Sequence, residues 1–188
     1  MINAGVGEQE INNILAYMNL PFVNKKKLKN RERNIGKSFE VVAAQSCSRA
    51  VEYEIRNSKE TDEQWVEVSA DGGWQKRGTG HSNNSLSGHV TIVGKSSRKC
   101  SSFGVAKKCR FCKNAIRRKV PATKHKCGKN WTGSSKAMGA FLTLKCLQDL
   151  KRKGLEVNAL TMDDDTSTYT RVKRCPFSVP SKNNTIMI

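Results

Sequence analysis

The pattern of apolar and polar positions predicts helices in the first third of the chain. Residues 8–19 place apolar side chains at helical spacing, and Pro21 marks the end of that helix because the residue before a proline avoids the helical conformation. Residues 36–57 repeat small and apolar side chains along one face, which predicts a second helix. A basic stretch at residues 25–33 lies on or between these two helices.

After residue 60 the pattern changes to strands followed by one long helix. Alternating or continuous apolar runs predict four strands, at residues 65–72, 86–93, 100–105 and 157–162. A helix is predicted from the capping Ser134 or Ser135 to about Lys153, with Gly154 as its stop. This order predicts an α+β or α/β protein in which N-terminal helices precede a mixed sheet.

The same pattern predicts three regions along the chain. Residues 1–60 form a helical N-terminal region, residues 61–172 form the sheet domain, and residues 173–188 form an irregular tail. Within the sheet domain, residues 107–130 are highly basic and short of large apolar side chains. We therefore expect their fold to depend on a stabilising link other than a hydrophobic core.

Composition adds a strong expectation about partners. The chain has 34 Lys and Arg against 16 Asp and Glu, a net charge of +18, which favours a polyanionic partner, above all nucleic acid. No apolar run approaches the ~18–20 residues of a membrane span, and no secretory signal is expected at the N-terminus. Seven cysteines in a chain without such a signal indicate thiols or metal ligands rather than disulfides.

Four soft or borderline ligands occur within the basic segment. Cys109 and Cys112 form a Cys-x-x-Cys, and His125 and Cys127 form a His-x-Cys. Four such ligands match a closed tetrahedral zinc site, so we expect a structural zinc ion here. The alternative is a set of scattered thiols with a surface histidine, and Cys100 is a substitute ligand. The remaining cysteines of helical pattern, Cys47 and Cys146, are expected to be packed thiols.

Acidic residues follow two of the predicted strands. Asp71 ends the first strand, and the run Asp163, Asp164 and Asp165 follows the fourth. Converging carboxylates bind the Mg²⁺ or Mn²⁺ used in phosphodiester chemistry. The alternatives are a turn aspartate before two glycines and an acidic cap at a helix N-terminus.

A motif around the first aspartate indicates a family. Residues 71–78 read Asp-Gly-Gly-Trp-Gln-Lys-Arg-Gly, His81-Ser82 follow, and Gly-Ser-Ser-Lys-Ala-Met stands at 133–138. Together with the Cys/His set and the later aspartates, over roughly residues 1–172, these segments resemble the Mutator-like transposases. The resemblance implies cut-and-paste DNA transposition by a ribonuclease-H-like core with a zinc-binding insertion. It also implies a nuclear location, and a catalytic Mg²⁺ or Mn²⁺ at Asp71 and Asp163, with Asp165 as alternate to Asp163.

Departures from the family pattern favour an incomplete catalytic core. Gly73 replaces a threonine, Gly139 follows Met138 where the family commonly has glutamate, and Asp164 stands where glycine is expected. The family's third catalytic acid, a glutamate, comes well after the second aspartate motif, whereas this chain has no Asp or Glu after Asp165. We therefore expect a C-terminally truncated transposase domain that binds DNA but cleaves it poorly.

The leading function is thus a DNA-binding transposase fragment, and the alternative is a zinc-dependent DNA- or RNA-binding protein without catalytic activity. Self-association is a further expectation, whereas a membrane or a small-molecule substrate is not expected. The residues expected to contact DNA are Lys25, Lys26, Lys27, Lys29, Arg31, Arg33, Lys76, Arg77, Lys107, Lys108, Arg110, Arg117, Arg118 and Lys119.

Overall fold

The structure is a computed structural model, which describes residues 7–60, 66–75, 85–162, 166–174 and 185–187. The chain divides into two compact units, Met1–Gln45 and Ser46–Ile188. The boundary falls inside one continuous helix, so the division at residue 60 that the sequence predicts stays a prediction.

The first unit contains helix α1 (Glu8–Tyr17) and the beginning of helix α2 (Lys25–Glu60). Two asparagines organise the turn between them. The Asn12 side-chain oxygen accepts the Val23 N–H at 2.8 Å, and the Asn24 side-chain oxygen accepts the N–H groups of the next helical turn. An asparagine in this position satisfies amide groups that have no partner within the helix. It explains why α2 begins at Lys25, so that the basic stretch forms its first turns.

The second unit is an α+β domain built on a mixed sheet, as the sequence predicts, and the described residues form five strands where four were predicted. Its elements, after the end of α2, are β1 (Glu67–Trp74), β2 (Ser87–Gly94), β3 (Cys100–Lys107), α3 (Arg110–Arg118), α4 (Ala137–Arg152), β4 (Ala159–Met162), α5 (Thr166–Lys173) and β5 (Thr185–Met187). The strand order is β3-β2-β1-β4-β5. β1 is antiparallel to β2, β2 is antiparallel to β3, β1 is parallel to β4, and β4 is antiparallel to β5.

Three short elements differ from the sequence prediction. The tail was expected to be irregular, but residues 185–187 pair with β4, because the outer edge of β4 offers unpaired backbone groups to a short apolar segment. Helices α3 and α5 form where no helix was predicted. Both are too short and too polar to show a clear helical period in the sequence.

One face of the sheet carries the core. Val68, Ala70, Ile92 and Leu160 project from three neighbouring strands into a cluster of side chains from the end of α2, α4 and α5. A second cluster joins Val90 and Ala106 to the start of α4, at Met138 and Leu142. The alternating positions of β1 on the other face, Ser69 and Asp71, are exposed. In the described part of the chain the helices that pack on the sheet therefore cover one face, and Asp71 is exposed on the opposite face.

A buried carboxylate fastens α2 to the turn between β2 and β3. Glu54 is 2% exposed, and its side-chain oxygen accepts the backbone N–H of Ser97 at 2.7 Å. A Cβ added at Gly94 would collide with the same carboxylate, so a larger residue there would displace Glu54 from this position. This contact fixes the start of β3, the strand that leads into the candidate metal centre.

Candidate metal centre

The Cys/His module, defined as residues 107–136, begins where β3 ends. Cys109 has an extended backbone and forms the N-cap of α3, so its carbonyl accepts the Lys113 N–H at 2.9 Å. Cys112 follows in the first turn of that helix. A Cys-x-x-Cys at a helix N-terminus brings both sulfurs to one side, and Ala115, buried one turn later, packs the helix inward.

Asn130 joins the end of the module to β3, the strand from which the module begins. Its side-chain amide donates to the Val105 carbonyl at 2.8 Å, and its side-chain oxygen accepts the Lys107 N–H. The Lys107 carbonyl in turn accepts the backbone N–H groups of Asn130 and Trp131. These bonds pair the exit of the module with β3, the edge strand, which brings Cys127 beside Cys109. Sequence reasoning missed Asn130, because its partners lie more than twenty positions away.

The four predicted ligands converge. The three sulfurs and the His125 Nε2 all lie within 4.8 Å of one another. The Cys109 Sγ is 3.1 Å and the Cys112 Sγ 3.6 Å from His125 Nε2, and the sulfurs of Cys112 and Cys127 are 3.7 Å apart. Around a tetrahedral zinc, ligand separations are about 3.8 Å for two sulfurs and about 3.6 Å for sulfur and nitrogen. The arrangement can therefore hold a metal ion such as zinc.

A hydrogen bond to the backbone fixes the orientation of the His125 ring. Its Nδ1–H donates to the Thr123 carbonyl at 2.6 Å, which leaves Nε2 facing the three sulfurs. Metal-binding histidines in proteins commonly donate their other ring N–H to a carbonyl in this way. The ring is thus held in the orientation that a metal ligand requires.

The electrostatics of the cluster favour the metal-binding thiolate form at two of its three sulfurs, whereas they favour the protonated form of His125. Backbone N–H groups of Cys112 and Phe111 point at the Cys109 sulfur and lower the pKa of its thiol to about 7. The Lys129 N–H lowers the pKa of Cys127 in the same way. The Thr123 carbonyl, followed by the Cys127 sulfur, raises the pKa of His125 to about 9. Since thiolates are the metal-binding form of cysteine, two of the three sulfurs are prepared for a cation.

The other thiols are separate from this cluster. Cys47 and Cys146 are 5% and 3% exposed, which confirms that they are packed thiols. Cys100, the substitute ligand, has its sulfur 3.9 Å from that of Cys47. Burial, followed by the neighbouring Cys100, raises the pKa of Cys47 to about 11, so the Cys47 thiol stays protonated and packs as a small apolar group.

Only one of the predicted catalytic carboxylates lies in the described part of the chain. Asp71 is exposed within β1, where it is opposite Thr91 of β2, and its carbonyl accepts the Thr91 hydroxyl at 3.5 Å. Along β4, the last pair of the parallel register is Ala70 with Met162. Asp163 and Asp165 lie outside the described residues.

The basic residues fall into two groups, one in each unit. The first occupies the beginning of α2 and is exposed: Lys25, Lys26, Lys27, Lys29, Arg31 and Arg33. The second surrounds the Cys/His cluster: Lys107, Lys108, Arg110, Arg117, Arg118 and Lys119. Lys108 is half-buried, and this burial lowers the pKa of its ammonium group. Lys76 and Arg77 lie outside the described residues.

Comparison with known proteins gives one match. The Mutator-like transposase family matches residues 1–186, which is nearly the whole chain. Neither a curated protein nor a solved structure matches. In the described part of the chain, none of the helices has the length and apolar character needed to cross a membrane. With a match of this extent, the chain belongs to the Mutator-like transposase family.

Proposed function

We propose that this chain is the DNA-binding part of a transposase, built on a ribonuclease-H-like sheet and stapled by a structural zinc ion. Membership in the family suggests a role related to transposition and implies interaction with DNA. The observation that carries the proposal is the parallel register of the central strand. Ala70 pairs with Met162, and in the sequence each is followed by an aspartate: Asp71 within β1, and Asp163, which comes after the end of β4 and outside the described residues.

Two neighbouring parallel strands that both continue into aspartates suit a divalent cation. Carboxylate oxygens are the ligands that Mg²⁺ and Mn²⁺ prefer, and two-metal phosphodiester chemistry uses carboxylates from adjacent strands. We propose Asp71 and Asp163 for this role, with Asp165 as the alternate to Asp163. The exposure of Asp71 on the face opposite the helices supports access by a DNA backbone.

Zinc in the Cys/His module would act structurally. All four donors are protein side chains, so a bound ion would have no open position for substrate. Except for Ala115 and Ser135, every residue between Lys107 and Ala137 is at least partly exposed. A metal ion would therefore replace the missing core and fix the surrounding cations.

Both basic groups are suited to phosphates. At the start of α2, Lys25, Lys26 and Lys27 lie in the first turn, where the helix dipole makes cations unfavourable and a bound anion favourable; Lys25 is paired with Glu8. In the module, no acidic residue occurs anywhere between Asp71 and Asp149, so the local charge is not compensated within the sequence. We propose that both groups contact DNA. Because the family suggests a nuclear or DNA-associated protein, we also propose that the protein acts in the nucleus.

The test is salt-dependent binding to a DNA duplex, measured by fluorescence anisotropy. Arg110, Arg117 and Arg118 are exchanged together for glutamine. The matched control removes the same three charges elsewhere, at Lys145, Lys151 and Arg171, which are also exposed. Each lost phosphate contact lowers the slope of log affinity against log salt by about 0.9. We expect a slope reduced by about 2–3 in the module variant and nearly unchanged in the control. Equal slopes in the two variants would refute the proposed surface.

Binding without cleavage is the second candidate, favoured by Gly139, which stands in α4 where the family commonly has glutamate. Mn²⁺-supported nicking of terminal-inverted-repeat DNA distinguishes it from the first. Asp71→Asn is the control, because it removes a charge at the proposed metal site and leaves both basic groups intact. We expect the 188-residue polypeptide to bind without efficient nicking. Robust nicking that disappears in Asp71→Asn would instead establish catalysis.

A further inference from the structure

Helix α3 presents two apolar side chains to solvent within the strongly basic segment 107–130. Phe111 is 63% exposed and Ile116 is 75% exposed. The inner side of the helix is already occupied by Cys112 and Ala115. Phe111 and Ile116 flank these two residues and remain mostly exposed, so Phe111 is a large apolar group held in water at a cost.

The charges around Phe111 identify the kind of surface that it fits. Arg110 directly precedes Phe111, and Arg118 follows two turns later on the same side of the nine-residue helix; both are exposed. Protein–protein interface cores are depleted of charge, whereas single-stranded nucleic acids offer phosphates to cations and flat base faces to aromatic rings. The combination of an exposed aromatic ring with uncompensated cations favours the nucleic acid.

The Cys/His cluster holds the ring of Phe111 in place. Its centroid is 5.1 Å from that of His125, with an angle of 34° between the rings. Contact with a ligand histidine restricts the rotation of Phe111 before any partner binds. A ring that is fixed beforehand loses little entropy on binding, which strengthens a stacking contact.

We propose that Phe111 is a stacking platform for an unpaired base of single-stranded DNA, and that the neighbouring α3 cations bind the flanking phosphates. A base within a duplex has both faces covered, so the ring discriminates single strands from duplexes. This inference rests on the DNA binding proposed above and adds the form of DNA that the module prefers.

The experiment compares a 12-nucleotide oligo-dT with a duplex of mixed sequence, using zinc-loaded full-length protein. Loss of one base–aromatic contact corresponds to a five- to hundredfold weaker affinity. Phe111→Ala should lose about that factor on the oligonucleotide and less than about twofold on the duplex. The salt slope should stay unchanged, because no phosphate contact is removed. Phe111→Trp should retain or increase the affinity.

Two controls separate stacking from folding. Phe111→Leu keeps an apolar contact with His125 but has no aromatic face, so it should retain zinc and still lose oligonucleotide affinity. Phe103→Ala removes another exposed phenylalanine, on β3 outside the module, and should change nothing. Zinc content is measured for every variant.

The outcomes are distinct. Equal weakening on single strand and duplex, or full affinity in Phe111→Leu, overturns the stacking role and leaves the proposed function intact. Failure of the unaltered protein to bind either DNA overturns the proposed function itself. Equally tight, Phe111-dependent binding of poly-glutamate would mean that the surface receives an acidic protein, and would overturn the inference.

Discussion

The sheet of the second unit and the Cys/His module next to it are ordered by different forces. The sheet buries Val68, Ile92 and Leu160 almost completely against its helices. In the module, side chains remain largely exposed, and order comes from hydrogen bonds and from four converging metal ligands. A chain with a charge of +18 can thus keep a cationic surface rigid without giving it a hydrophobic core.

Cysteine shows the contrast within one residue type. Burial raises the pKa of Cys47 to about 11, whereas backbone N–H groups at the start of α3 lower that of Cys109 to about 7. The first thiol is a small apolar packing group and the second is a candidate metal ligand. The environment, and not the residue type, decides which role each cysteine has.

Removing one ligand should have the largest effect and should stay confined to the module. Zinc sites of this type bind with an apparent free energy of about 10–16 kcal/mol when all four ligands are present. Cys112→Ser leaves only three of the four ligands and should reduce the zinc content from ~1 per chain to near zero. Near-ultraviolet circular dichroism should show that the sheet remains folded. The matched control Cys146→Ala, in the core, should keep its zinc. Equal zinc content in wild type and Cys112→Ser would show that the four residues are not a metal site.

The second largest effect should be a difference in thiol reactivity between the two regions. In zinc-free protein at pH 8, Cys109 is mostly thiolate and Cys47 is almost entirely thiol, so alkylation rates should differ by about a thousandfold. Mass spectrometry of iodoacetamide-treated protein measures both rates in one sample. Zinc should protect Cys109 and leave Cys47 unaffected. Comparable rates at the two sites would contradict the assigned environments.

A cavity in the core should destabilise the sheet without affecting the module. Leu160 is fully buried in β4, so Leu160→Ala should lower the free energy of unfolding by about 2–5 kcal/mol. Denaturant titration with fluorescence detection measures the change. The control Val105→Ala, exposed on β3, should cost less than about 0.5 kcal/mol. Zinc loss in Leu160→Ala below its unfolding transition would show that the regions are coupled.

Zinc affinity should fall with decreasing pH. His125 in the metal-free site has its pKa raised to about 9, so below pH 9 zinc must displace a proton from the imidazole. This proton alone weakens binding about tenfold for each unit of pH below that value. Competition with a chromophoric chelator at pH 6, 7 and 8 measures the trend. An affinity independent of pH over this range would exclude His125 as a ligand.

The smallest expected effect concerns Asn130, whose hydrogen bonds join the Cys/His module to β3. Asn130→Ala removes two hydrogen bonds to β3, which should weaken zinc binding by about 1 kcal/mol, or roughly fivefold. The neighbouring Thr132→Ala is the control, since Thr132 is exposed and lies outside these bonds. An unchanged affinity in Asn130→Ala would mean that the metal ligands converge without help from the edge strand.

Most elements could be predicted from the sequence, including the four-residue β4, but α3, α5, β5 and the first turns of α2, which begins at Lys25 and not at residue 36, could not. β1 to β3 and α4 each contain eight or more residues with a consistent period, and their predicted ends are within about three residues of the observed ones. α3 has nine residues with an exposed phenylalanine and isoleucine, so its apolar pattern does not indicate a buried face. β5 has only three residues and depends on the free edge of β4.

The sequence by itself determined the ligand types, the spacing within each ligand pair, the order of the main elements and the family motif. These depend on residues within a few positions of one another, where covalent geometry limits the possible arrangements. Only the tertiary structure decided that His125 meets Cys109 across sixteen positions, that Cys100 lies by Cys47, and that Asp71 is on the face opposite the helices. Such contacts depend on the packing of the whole domain, in which many weak interactions together select one arrangement.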